Sequence, residues 1–180
     1  MGIMVDMTDL RYPIGTFTPP GAFAPQLRDQ FIEQIADAPS RLRAAADGLS
    51  LSQVRQPYRD GGWTVAQVVH HLVDSHMNGY VRFKLAVTEV EPTIKPYNEA
   101  LWAQLPDATN PDIVTSLHLL ESLHDRWVVF LRSLDATEFQ KTFRHPDRGI
   151  VTLDWTLALY AWHGRHHVAH ITSLRSRMGW

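Results

Sequence analysis

His163 and His167 stand four residues apart in the stretch Trp162-His163-Gly164-Arg165-His166-His167-Val168-Ala169-His170. On a helix, residues at i and i+4 share a face about one turn apart, so two imidazoles spaced in this way reach one point. They make half of a metal site, and a third histidine would complete the three-ligand, open-position arrangement of catalytic zinc. The segment from Trp63 to His76 offers His70, His71 and His76 for that place. His166 and His170 are also four apart, but projection at about 100° per residue turns them farther towards solvent. The plain alternative for the favoured pair is two partly buried histidines that only pack and hydrogen-bond. Gly164 leans towards function, because a helix-interior glycine costs about 1 kcal/mol relative to alanine and admits a close neighbour.

The same projection puts His76 near the centre of an apolar stripe made by Val65, Val68, Val69, Leu72, Tyr80, Phe83 and Val87. His71 falls in a polar column with Ser75, Asn78 and Arg82, a column suited to lining a cavity, while His70 shares its side with Asp74 at i+4. Periodicity alone does not choose among the three.

Other chemistries lack their residues. The last helix has no His-Glu-x-x-His step, and neither a phosphate loop nor a dinucleotide fingerprint occurs. A Gly-x-Ser-x-Gly elbow is missing as well. Glu121-Ser122-Leu123-His124 matches the Glu-x-x-His step of di-iron bundles once, without a second copy. Cysteine is absent, so there is no thiolate ligand, disulfide or cysteine nucleophile, and a cytoplasmic location is expected. A net charge of −2 leaves no basic surplus for nucleic acid. No apolar run of about 18 residues suggests a membrane span, and the first residues lack the basic start and apolar stretch of a signal peptide.

The elements that must position these histidines follow from the apolar period and its punctuation. Residues 1–22, with Pro13, Gly15, Pro19, Pro20 and Gly21, read as an extended arm whose Tyr12, Phe17 and Phe23 dock on the body; residues 23–180 form the domain. A first helix begins near Pro25, and Pro39 should kink it or break it at Ala38. Thr64 and Gln67 form a capping box that opens the second long helix, which Pro92 and Pro96 end. A short helix is expected over Asn98 to Leu105. Asn110-Pro111 opens the third long helix. Residues 140–151 read as a turn or small hairpin. The last helix runs from about Thr152 to Arg177 and closes at Gly179. Four long helices with weak strand signals predict an all-α bundle, a fold that places metal sites between facing helices.

Several stretches together resemble the DinB-like superfamily of four-helix bundles, in particular its YfiT-like branch of metal-dependent hydrolases. They are Tyr58-Arg59-Asp60-Gly61-Gly62-Trp63-Thr64, Gln67 through Asn78, Arg82-Phe83-Lys84-Leu85, Trp162-His163 through Thr172, the ending Arg177-Met178-Gly179-Trp180, and Tyr12-Pro13-Ile14-Gly15 of the arm. The resemblance implies one divalent metal per chain, held by His71, His163 and His167, in a bundle with a long crossover that pairs as a homodimer. Nitrogen-only ligation with open positions suits zinc first, and nickel or cobalt next.

The leading expectation is therefore a metal-dependent hydrolase that activates water against a small-molecule substrate. No general base stands out; Asp74, Asn78 and Arg82 are candidates for supporting the ligands or touching substrate, with Asp74 orienting His70 or a ligand. Neighbouring members resemble bacillithiol-type S-transferases, in which the metal activates a low-molecular-weight thiol; Arg82, Lys84 and Arg165 are then anchors for its carboxylates. A non-catalytic, metal-stabilised bundle is the third alternative.

Overall fold

Residues 9–180 are described in the computed structural model of the chain; the first eight residues of the expected arm lie outside them. The elements run α1 (Pro25–Ala46), α2 (Leu51–Val54), α3 (Val65–Thr88), α4 (Glu99–Trp102), α5 (Val114–Ser133), a 3-10 turn (Glu138–Gln140), β1 (Thr142–His145), β2 (Gly149–Thr152) and α6 (Leu153–Met178). The four long helices α1, α3, α5 and α6 form a bundle in which α6 and α5 each pack against both α1 and α3. Strands β1 and β2 pair antiparallel from Thr142↔Thr152 to His145↔Gly149 and deliver the chain directly into α6.

Local chemistry sets most of these boundaries. Thr64 Oγ1 accepts the Gln67 backbone N–H at 3.2 Å, and Gln67 Oε1 accepts the Thr64 backbone N–H at 2.9 Å, which closes the box that opens α3. Ser50 and Gln53 close the same kind of box at α2, a helix the periodicity did not predict. Thr152 Oγ1 accepts the Trp155 N–H at 3.1 Å and starts α6, which closes at Gly179. Helix α5 starts later than Asn110-Pro111 suggests, because Asn110 Oδ1 accepts from Asp112 N and Asp112 Oδ1 from Val114 N, each at 3.0 Å. These two side-chain turns hold the chain out of the helix until Val114. Pro39 does not break α1, which continues through it to Ala46. A proline at 39 removes the N–H that would bond the carbonyl four residues back, and its ring crowds that carbonyl. That carbonyl, on Ile35, instead accepts His124 Nδ1 of α5 at 2.6 Å.

The core divides into two apolar clusters, one containing Leu42, Val68, Leu72, Leu120 and Ile171, the other Ile35, Phe83, Trp127, Leu157 and Tyr160. Fully burying such a side chain is worth about 1.5–3 kcal/mol. Between the clusters each long helix carries something else: His76 on α3, His124 on α5, His163 and His167 on α6, and Ala38-Pro39 on α1. A belt of imidazoles thus crosses the bundle between two apolar halves.

Candidate metal centre

His71 of α3 and His163 and His167 of α6 each offer one ring nitrogen within 4.8 Å of the others. His163 Nε2 and His167 Nε2 are 3.1 Å apart, close to the roughly 3.3 Å that separates two nitrogens on a tetrahedral zinc with bonds of about 2.0–2.1 Å. The donor set fits a divalent ion in protonation state as well. Burial pushes His163 and His167 well below the ordinary histidine value and His71 down to about 4, and the neighbouring imidazoles push further in the same direction. Neutral imidazole is the form that ligates.

The other histidines of α3 are engaged elsewhere. His70 bonds Ser116 Oγ at 2.7 Å and the Asn110 carbonyl at 2.8 Å, so both its nitrogens serve the start of α5 and Asp74 does not orient it. His76, fully buried, bonds His124 Nε2 at 2.8 Å through Nδ1 and His163 Nδ1 at 3.2 Å through Nε2. His166 and His170 are buried, at 6% and 3% exposure, rather than turned to solvent as projection suggested. The cover comes from a neighbour on the same helix and from outside it. Trp162 stacks on His166 at 4.3 Å, Tyr12 of the arm lies 5.9 Å from it, and Tyr58 stacks on His170 at 3.9 Å. His170 Nε2 bonds the Arg11 carbonyl at 3.1 Å, and its Nδ1 is 3.3 Å from His167 Nδ1. Gly164 admits a close neighbour: a Cβ there would stand 3.1 Å from Ala38 Cβ of α1.

His163 also faces a cavity of about 610 Å³, whose walls include Arg82, Tyr97, Glu99, Arg148 and Trp155. Glu99 is an exposed residue of the cavity wall, and burial of its carboxyl raises it above the ordinary range against the opposing pull of Arg82 and Arg148. Of the anticipated cations, Arg82 reaches this cavity. Lys84 instead sits over the rings of Tyr80 and Phe130, at 5.0 and 5.3 Å, and Arg165 Nε bonds the Ala161 carbonyl of its own helix. Asp74 is half-buried away from the cavity, its carboxyl raised by burial and then by Asp107, and Asn78 Nδ2 donates to the Asp74 backbone carbonyl at 2.8 Å. Sequence reading missed Glu99 and Arg148. Each lies in a connection between bundle helices, where no apolar period marks which side chains meet.

A sequence profile of the DinB superfamily matches residues 34–171. A Bacillus mycoides (strain KBAB4) protein named "Putative metal-dependent hydrolase" is 56% identical over 174 residues, covering 97% of this chain and 100% of its own. A Bacillus cereus (strain AH820) protein of the same name matches to the same extent. Among solved structures, YfiT from Bacillus subtilis, described as a probable metal-dependent hydrolase with an unusual four-helix bundle topology, superposes with a TM-score of 0.93 at 48% identity, covering 96% of this chain and 99% of that one. The four-helix bundle protein TT2238, at 16% identity and a TM-score of 0.54, shares the fold.

Proposed function

The chain belongs to the DinB superfamily, and on that premise we propose that it is a metal-dependent hydrolase whose single divalent ion is held by His71, His163 and His167. The observation that carries this reading is the meeting of three imidazoles, one of which, His163, also lines a 610 Å³ cavity. A divalent ion held there, zinc first and nickel or cobalt next, supplies Lewis acidity that polarises a carbonyl and lowers the pKa of water.

The remaining roles fall to the cavity side chains. Glu99, with its raised carboxyl pKa, takes a proton from the attacking water and returns it to the leaving group, the task of a general base then acid. Arg82 and Arg148 bind negative charge on the substrate, and the Trp155 ring covers an apolar part. A panel of amides and esters tests this reading. Hydrolysis should vanish with a strong chelator and return with added zinc, nickel or cobalt. Glu99→Gln should lower kcat by roughly 10²–10⁴-fold and leave metal content unchanged. Turnover that survives complete metal removal would overturn it.

The two arginines in the cavity favour one other reading, transfer of a carboxylated low-molecular-weight thiol of the bacillithiol type to an electrophile, which needs neither a protein cysteine nor Glu99. Incubation with bacillithiol and a chloroarene separates the two, since metal-dependent conjugate formation unaffected by Glu99→Gln belongs only to thiol transfer.

A further inference from the structure

The hydrogen bonds that leave the candidate ligands run to two backbone carbonyls, and a carbonyl only accepts. His124 Nδ1 meets the Ile35 carbonyl at 2.6 Å, so Nδ1 carries the hydrogen of that ring. A neutral imidazole has one N–H, which leaves His124 Nε2 as an acceptor. His76 Nδ1, 2.8 Å away, must therefore donate, and His76 Nε2 becomes an acceptor in turn. His163 Nδ1, 3.2 Å from it, donates, and His163 Nε2 is left with a free lone pair. The same logic runs from the arm. His170 Nε2 donates to the Arg11 carbonyl, His170 Nδ1 accepts from His167 Nδ1 at 3.3 Å, and His167 Nε2 is left as a lone pair.

We propose that His76 and His124 on one side, and His170 on the other, are positioning residues that lock His163 and His167 in the Nδ1–H tautomer, so that both Nε2 lone pairs point at one spot. With both tethers in place, two acceptors face each other at 3.1 Å with no hydrogen between them, an arrangement that a cation relieves. The root of the longer tether lies in the sequence: Pro39 has no N–H to give the Ile35 carbonyl, and that vacated carbonyl anchors His124. The proline inside α1 and the ligand on α6 are thereby linked through two rings, His124 on α5 and His76 on α3. The inference rests on the metal-centre reading for its purpose but not for its geometry.

Nitrogen-15 correlation spectra of the histidine rings in the metal-free full-length protein, recorded well above the ordinary histidine pKa of about 6.5, read each tautomer directly. The expected pattern is Nδ1–H at His76, His124, His163 and His167, and Nε2–H at His170. His163 or His167 protonated at Nε2 would overturn the proposal, whether or not the protein takes up metal. His124→Phe keeps the ring and removes the anchor. It should mix the tautomers of His76 and His163 and weaken zinc affinity roughly 10–100-fold, while circular dichroism stays native. Unchanged tautomers and affinity in that variant would also overturn it, and if the variant does not fold, the wild-type spectra decide. A wild-type chain with the expected tautomers that binds no zinc, nickel or cobalt would sink the metal-centre reading and leave the tautomer assignment standing.

Discussion

His70 and His71 are consecutive, yet one ring bonds the start of α5 and the other comes within 4.8 Å of His163 and His167. Alanine substitutions should separate them. His71→Ala, His163→Ala and His167→Ala should each lose the bound ion in elemental analysis, whereas His70→Ala should keep about one per chain. The His70 variant should lose about 1–3 kcal/mol of stability instead, because its bonds to Ser116 and the Asn110 carbonyl are left unmade. Metal loss in His70→Ala with retention in His71→Ala would reverse the assignment. The buried rings also make a pH prediction for the metal-free protein. Burial pushes both His71 and His124 down to about 4, while the unfolded chain titrates near 6.5. Between those values the unfolded state binds protons that the folded state does not. Stability is therefore fully present above about 6.5 and falls as pH drops towards 4. Each ring should remove on the order of 2 kcal/mol by about pH 5, read as a lower urea midpoint than at neutral pH. A midpoint that does not move over that range would mean that the folded protein carries those protons.

At the scale of elements, the contact between α3 and α6 depends on Gly79, where a Cβ would lie 2.5 Å from Tyr160 Cζ. Tyr160 cannot easily retreat: its hydroxyl donates to the Ser75 carbonyl at 3.1 Å, and its ring meets His76 and Trp127 edge-on. Gly79→Ala should therefore destabilise by about 1–3 kcal/mol through overpacking, although alanine is the better helix former by about 1 kcal/mol. Thermal unfolding checks the sign, and a more stable variant would show that Tyr160 has room to move. The elements also show what was legible in the sequence. The starts of α3 and α6 and the β1–β2 hairpin could be read because their signals are local, a capping hydroxyl or a Pro-Asp-Arg-Gly turn within a few residues. The pairing of His163 with His167 was legible for the same reason. What could not be read depends on distant partners: the uninterrupted α1, whose free carbonyl is taken by a histidine 89 residues away, the burial of His166 and His170 under the arm and Tyr58, and the entry of Glu99 and Arg148 into one cavity. Helical projection describes a helix facing water or a core. It does not foresee a second polar layer inside the bundle.

For the whole molecule, the division of the core decides what metal removal should do. The two apolar clusters lie on either side of the histidine belt and contain large, fully buried side chains on all four long helices, among them Ile35, Leu42, Leu72, Phe83, Leu120, Trp127, Leu157 and Ile171. At about 1.5–3 kcal/mol for each, those halves do not need an ion between them to stay folded. An ion that binds only the folded state adds RT ln(1 + [L]/Kd), about 2.7 kcal/mol at one hundred times Kd. In a chain of this length, 1 kcal/mol corresponds to about 2–4 °C, so a chelator should lower Tm by roughly 5–11 °C and leave a cooperative transition. That modest shift is what a ligand-accepting site predicts, with His163 facing a cavity and the fold carried by its apolar halves. A purely structural ion tying α3 to α6 predicts something else: loss of the cooperative transition on chelation, with helicity decaying without a midpoint. A calorimetric scan of the metal-loaded and chelated protein distinguishes the two, and collapse of the chelated form would move the histidine belt from chemistry to scaffolding.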